Sequence, residues 1–193
     1  MLLTVPNQLT MFRVLVIPLL VLVFYTDLQW RHLICAALFG LAGITDALDG
    51  YYARKYNQST PFGAFLDPVA DKLIVAVALA LLIEQNGNIW FTLPAVVIIS
   101  REIVISALRE WMAELGARGA VAVSFIGKLK TTLQIIAILV LLAFPDGSPY
   151  YLHEIGLITV YGAAVLTLWS MIVYLKAAWP SLSGKTAKTA KED

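Results

Sequence analysis

Charged residues are scarce in this chain of 193 residues: Asp, Glu, Lys and Arg make up only 14% of it, while hydrophobic residues make up 60%. A soluble domain usually has about a quarter charged and roughly half apolar residues, so this composition excludes an ordinary water-soluble domain. The mean hydropathy of +0.79 points the same way. No polar block of domain size separates the apolar runs. The sequence therefore predicts a single membrane domain over residues 1–180 and a polar, disordered cytoplasmic tail over residues 181–193.

Cysteine, histidine and early basic residues are also lacking. Cys35 is the only cysteine, which excludes an internal disulfide and a metal site made of thiolates alone. His32 and His153 have no companion ligands at metal spacing. Residues 1–12 contain no Lys or Arg, whereas a secretory signal needs basic residues before its apolar core. We therefore expect the first apolar run to be retained as a membrane helix.

Apolar runs of about 20 residues, the length that crosses a hydrocarbon core, recur along the chain. Turn-forming runs rich in Gly, Pro, Asn and Asp separate them. The pattern predicts an all-α membrane protein with six transmembrane helices. We place these helices at residues 9–25, 32–56, 65–84, 89–112, 125–143 and 154–176.

The basic residues indicate an orientation, because Lys and Arg concentrate in cytoplasmic loops. They flank the second-to-third and fourth-to-fifth connections and follow the last helix, whereas the opposite connections carry only Arg31. We therefore expect both termini to be cytoplasmic. The residues that carry this prediction are Arg54, Lys55, Arg109, Arg118, Lys128, Lys130, Lys176, Lys185, Lys188 and Lys191.

Four aspartates stand in or beside these apolar segments, where a carboxylate is costly. Asp46 and Asp49 are three residues apart, and Asp67 and Asp71 are four apart, so each pair lies on one helical face. Two facing helices would bring the four carboxylates together. Hard divalent cations would neutralise such a cluster with oxygen ligands, and we therefore predict a metal site.

Residues 46–71 read DALDGYYARKYNQSTPFGAFLDPVAD and fit the pattern D-x2-D-G-x2-A-R-x8-G-x3-D-x3-D at every defined position. This pattern is the signature of the CDP-alcohol phosphotransferases, and the chain resembles that family. Further segments resemble its bacterial members that use glycerol 3-phosphate: PNQLTMFR at 6–13, SREIVISALRE at 100–110 and GKLKTT at 127–132. The resemblance spans nearly the whole chain.

The resemblance implies six helices around a polar cavity that opens to the cytoplasm, in a homodimer of the bacterial inner membrane that has no nucleic acid partner. The expected reaction transfers the phosphatidyl group of CDP-diacylglycerol to sn-glycerol 3-phosphate and releases CMP. The expected cofactors are two Mg²⁺ or Mn²⁺ ions. By motif position, Asp46, Asp49 and Asp67 would be the main metal ligands. Asp71 would complete the metal site and act as the general base.

Small and basic residues of the motif match positions that bind the CDP-lipid in the family. Small residues in membrane helices also serve helix packing, and only the motif favours the ligand role. The residues concerned are Gly50, Ala53, Arg54 and Gly63. Arg13 and Lys72 are weaker candidates for a phosphate contact, because both could instead extend from helix ends towards the membrane surface.

The acceptor phosphate requires further cations. Arg101 and Arg109 are eight residues apart on one predicted helix, which places them about 80° apart around its axis. Both can therefore face one cavity, and Lys128 begins the next helix. We predict that these three residues bind the acceptor phosphate, whereas Lys130 could equally be an ordinary positive-inside residue.

Two other functions remain open. A divalent-cation transporter also carries intramembrane acids, although transporters usually contain paired repeats with broken helices. The acids here cluster in one half of the chain beside basic residues. The same transfer chemistry with another acceptor, such as serine, inositol phosphate or a second phospholipid, is the closer alternative.

Overall fold

Six α-helices form the part of the chain that the computed structural model describes, residues 5–56, 60–115, 125–148 and 151–182. Side chains are described throughout these ranges except at 5–6, 50–54, 56, 61, 64, 125–128 and 180–182. The helices are α1 (Val5–Phe24), α2 (Arg31–Tyr56), α3 (Pro61–Asn86), α4 (Ile89–Glu114), α5 (Phe125–Ala143) and α6 (Leu152–Leu182). No β-strand occurs in the described ranges. The prediction of an all-α fold is confirmed.

The start of α3 differs from its predicted position by four residues. Thr60 caps this helix: its Oγ1 accepts a hydrogen bond from the Gly63 amide at 3.0 Å. Pro61 follows directly after the cap, a position where its missing N–H costs nothing. The apolar pattern predicts a start at residue 65, whereas the cap and the proline begin the helix one turn earlier.

Helix α6 also extends further than predicted, to Leu182 instead of residue 176. The predicted tail over residues 181–193 therefore begins within the last helical turn. Residues 183–193 lie outside the described part of the chain. Their disorder stays a prediction.

The helices pack around a shared apolar core. Helix α1 packs against α2 and α3, α5 packs against α2 and α6, and α4 packs against α3 and α6. Apolar side chains from all six helices are fully or almost fully buried in this core. Among them are Leu20, Phe39, Leu82, Ile98 and Leu141.

The outer surface of the helices is largely apolar. Four helices are long and apolar enough to cross a membrane, over Asn7–Phe24, Arg31–Asp49, Ile89–Glu114 and Leu152–Trp179, and α5 contains the shorter apolar stretch Leu129–Ala143. Side chains such as Leu15 and Ile158, which are 66% and 71% exposed, suit hydrocarbon better than water. The protein is a multi-pass membrane protein.

Gly156 allows α5 and α6 to approach closely. A Cβ atom at this position would lie 2.7 Å from Leu141 Cδ2 and 2.8 Å from Leu141 Cγ. Leu141 is fully buried, so it has little room to move away. The absent side chain of Gly156 is therefore part of the packing between these two helices.

We predict that Gly156→Val destabilises the protein by about 1–3 kcal/mol, the usual cost of overpacking a core. The matched control is Gly162→Val on the same helix, because a Cβ atom on Gly162 meets nothing within 4 Å. Thermal unfolding of the detergent-purified proteins measures the difference. Equal midpoints for the two variants would contradict this account of the α5–α6 contact.

Candidate active site

Three aspartates converge where α2 ends and α3 begins. Asp46 and Asp49 lie one helical turn apart on α2, and Asp67 lies in the second turn of α3. One carboxylate oxygen from each lies within 4.8 Å of the others. Asp49 is almost fully buried, whereas the side chains of Asp46 and Asp67 are 43% and 41% exposed. We call these three residues the acidic triad.

Asp71 lies one turn further along α3 and is not part of this group of three. Its carboxylate is near enough to interact electrostatically with Asp46 and Asp67. Asp71 is also exposed at the surface of the protein. Asp71 therefore lies beside the triad in a position that a second molecule can reach.

Arg13 of α1 joins the triad, although the sequence left its role undecided. Its Nη1 lies 3.0 Å from Asp46 Oδ1 and 3.1 Å from Asp67 Oδ1. Its Nη2 pairs with Asp49 Oδ2. The Arg13 side chain is fully buried, and its guanidinium, which comes from α1, joins carboxylates from α2 and α3.

The donor set of the triad fits a divalent metal ion. Carboxylate oxygens are the ligands that Mg²⁺ prefers, and the triad places three of them within 4.8 Å of one another. If these three oxygens moved closer to a common centre, each would supply one ligand to a metal ion there.

Of the four positions predicted to bind the CDP-lipid, Gly63 has a clear structural role. A Cβ atom on Gly63 would lie only 2.5 Å from Asn7 Oδ1, which in turn accepts a hydrogen bond from Thr60 Oγ1 at 2.9 Å. Gly63 thus permits the first turn of α1 to approach the start of α3. The other three positions lie on α2, but their side chains are outside the described part: Gly50, Ala53 and Arg54.

A second polar cluster lies between α4, α5 and α6. Arg101 Nη1 lies 3.0 Å from Glu102 Oε1, and Lys130 Nζ pairs with the same oxygen. Arg101 Nη2 also donates to Ser170 Oγ at 3.3 Å. Arg101 and Lys130 are both buried. We call this group, together with Arg109 and Tyr174, the cationic cluster.

Tyr174 connects the two arginines that were predicted to bind the acceptor. The guanidinium carbon of Arg101 lies 5.8 Å from the centre of its ring, and that of Arg109 lies 5.0 Å from it. Arg109 Nη2 also donates to the Tyr174 hydroxyl at 2.8 Å. Both distances suit cation–π attraction. The third predicted residue, Lys128, lies on α5, but its side chain is outside the described part.

Comparison with known proteins shows the family to which this chain belongs. The sequence model of CDP-alcohol phosphatidyltransferase matches residues 3–173. The chain belongs to this family. The three aspartates of the triad and Asp71 all lie within the matched residues.

Relatives in this family are similar over nearly their whole length. A protein of Sodalis glossinidius (strain morsitans) is 55% identical over 91% of this chain and 95% of its own. One of Salmonella choleraesuis (strain SC-B67) is 55% identical over 90% and 94%. One of Shigella flexneri serotype 5b (strain 8401) is 54% identical over the same shares. All three are named CDP-diacylglycerol–glycerol-3-phosphate 3-phosphatidyltransferase.

The structure brings into the cationic cluster residues that the sequence pattern does not single out. Ser170 and Tyr174 were given no role, although their spacing of four residues places both on one face of α6. That pair of polar residues in an apolar helix was the available signal. Lys130 was ranked below Lys128, yet it is fully buried and pairs with Glu102.

The acidic triad and the cationic cluster are neighbours. Glu102 is near enough to Asp71 for their charges to interact. Lys72, next to Asp71, pairs with Ser106 on α4. Helices α3 and α4 therefore hold the two groups side by side.

Proposed function

We propose that this protein transfers the phosphatidyl group of CDP-diacylglycerol to sn-glycerol 3-phosphate, producing phosphatidylglycerophosphate and CMP. The observation that carries this proposal is the position of the acidic triad beside a buried cationic cluster. A diphosphate with metal ions suits the first group, and an acceptor phosphate suits the second. The identity of both substrates follows from the names of relatives that are 54–55% identical over about nine tenths of the chain.

The acidic triad would hold the divalent ion, and Asp71 would complete a site for two ions, either Mg²⁺ or Mn²⁺. Bound there, such ions would neutralise the diphosphate and the charge that develops on departing CMP. Asp46 and Asp67 are half-exposed and can turn towards a ligand, whereas Asp49 is held in the interior.

Asp71 is the proposed general base. Its place outside the triad and its exposure suit contact with a second substrate. Its carboxylate would take the proton from the acceptor hydroxyl. That oxygen then bonds to the lipid-bearing phosphorus, while the bond from this phosphorus to the bridging oxygen breaks and CMP leaves.

The cationic cluster would bind the phosphate of the acceptor. Arg101, Arg109 and Lys128 are the proposed contacts, and the burial of Lys130 beside Glu102 supports adding this lysine. The nucleotide half of the CDP-lipid would lie along the motif residues of α2 and α3. These are Gly50, Ala53, Arg54 and Gly63.

All six helices would span the bacterial inner membrane as a homodimer, with the site in a polar cavity open to the cytoplasm. The acids near the end of α2 and the start of α3 support a site near one membrane surface. The basic residues beside these helix ends support the cytoplasmic side.

We predict that CMP release from CDP-diacylglycerol requires both glycerol 3-phosphate and Mg²⁺ or Mn²⁺. Asp46→Asn, Asp49→Asn or Asp67→Asn should each reduce turnover by orders of magnitude, because each removes a charged oxygen ligand. A radiolabelled assay on purified protein, with serine and inositol phosphate as competing acceptors, measures both requirements. Full activity in EDTA would refute the metal site, and preference for another acceptor would refute the assigned substrate.

A second prediction concerns the acceptor site. Arg109→Ala should raise the KM for glycerol 3-phosphate at least about tenfold, because a charge-assisted hydrogen bond contributes about 1.5–3 kcal/mol and 1.4 kcal/mol is one decade. The KM for CDP-diacylglycerol should change much less. Tyr174→Leu should act in the same direction through Arg109, whereas Tyr174→Phe keeps the ring and should have a smaller effect. Equal changes in both KM values would refute the acceptor site.

The orientation is predicted separately. A cysteine placed near Gly87 or Ser148 should react with a membrane-impermeant reagent in intact spheroplasts, and a reporter fused after Asp193 should be cytoplasmic. Gly87 follows α3 and Ser148 follows α5, so both mark connections on one side. Labelling of both positions only after lysis would contradict the proposed orientation.

A further inference from the structure

We propose that Arg13 acts as the counter-ion of the acidic triad when no metal ion is bound. Its guanidinium holds the three carboxylates together and loses part of this pairing when a divalent ion binds. The inference rests on the proposed function of the triad as a metal site. It assigns a positioning role to a residue of α1, outside the helices that carry the aspartates.

The contacts of Arg13 place its guanidinium among the oxygens that a metal would use. Arg13 Nη1 lies 3.0 Å from Asp46 Oδ1 and 3.1 Å from Asp67 Oδ1, and Nη2 pairs with Asp49 Oδ2. Mg²⁺ requires oxygens at about 2.0–2.1 Å in near-octahedral geometry. Carboxylates that turn to such an ion lose part of their bonding to the guanidinium, so the two cations compete for the triad.

In the described part of the chain, the Arg13 guanidinium pairs with the three carboxylates of the triad. The Arg13 side chain is fully buried, and its Nε makes no hydrogen bond within the described part of the chain. The charge cannot be removed by losing a proton, because arginine stays protonated in proteins. The contacts that stabilise this buried charge are therefore the same contacts that a metal ion would weaken.

The net charge would allow a divalent ion to be added to the triad, whereas the sharing of the same oxygens favours exchange. Three carboxylates against one guanidinium leave two negative charges, which one divalent ion would balance. With the guanidinium still in place, the ion would be repelled by a positive charge a few ångströms away. Arg13 thus stabilises the empty triad and at the same time lowers its affinity for metal.

The test is Mn²⁺ binding to detergent-purified protein without lipid substrate, followed by electron paramagnetic resonance. Arg13→Gln should bind Mn²⁺ at least about tenfold more tightly than wild type, because the competing charge is gone. Arg13→Lys should lie between them, since a single ammonium keeps the charge but cannot reach all three carboxylates. Arg31→Gln is the matched control, because Arg31 bonds to Thr26 and His32 instead, and it should leave Mn²⁺ affinity unchanged.

Thermal unfolding gives a second readout. In EDTA, Arg13→Gln should unfold at a lower temperature than wild type, because three acids then lack a counter-charge. Mn²⁺ should raise the midpoint of the variant more than that of wild type. If Arg13→Gln does not fold, the Mn²⁺ affinity and the unfolding midpoint of Arg13→Lys test the inference in its place.

Two outcomes would overturn the inference and are distinguishable. Mn²⁺ binding to wild type without any gain in the folded Arg13 variants would show that the arginine does not compete, and the metal site would stand. Absence of Mn²⁺ binding to wild type and to every variant would refute the metal site itself and the role of Arg13 with it.

Discussion

The cost of burying charge among apolar helices is the constraint on which the arrangement of these charged groups depends. A charged side chain within the hydrocarbon region is expensive unless it is paired or faces a polar cavity. Arg13 is paired with three aspartates, and Glu102 is paired with Arg101 and Lys130. The acidic triad is thus paired with a cation, and the cationic cluster is paired with an anion. These pairs stabilise the buried charges without any substrate.

The same pairing explains how groups of opposite sign remain separate within one small region. The triad is held between α1, α2 and α3, and the cationic cluster between α4, α5 and α6. The Lys72–Ser106 contact links α3 to α4. The two groups are neighbours, yet their main ion pairs are made within each group and not between them. Attachment to different helix sets provides that separation.

Small residues serve this arrangement by controlling how near the helices come. Gly63 leaves room for Asn7, and the Thr60 hydroxyl bonds to both the start of α3 and Asn7. The entry of α1 is therefore fixed next to the turn that carries Asp67. A family motif glycine can thus be required for helix approach as well as for ligand contact.

The sequence by itself determined the helices and the acidic motif, because both depend on local spacing. Apolar runs marked the six helices, although Thr60 and Pro61 show that a cap can be mistaken for a loop. The intervals between Asp46 and Asp49 and between Asp67 and Asp71 put each pair on one helical face. The residues that complete the site were decided only by tertiary structure. Arg13 contacts Asp49, which is 36 residues away in the sequence, and Arg101 contacts Ser170, which is 69 residues away. Helical periodicity relates residues only within one helix. Only the packing of the helices could therefore bring these partners together.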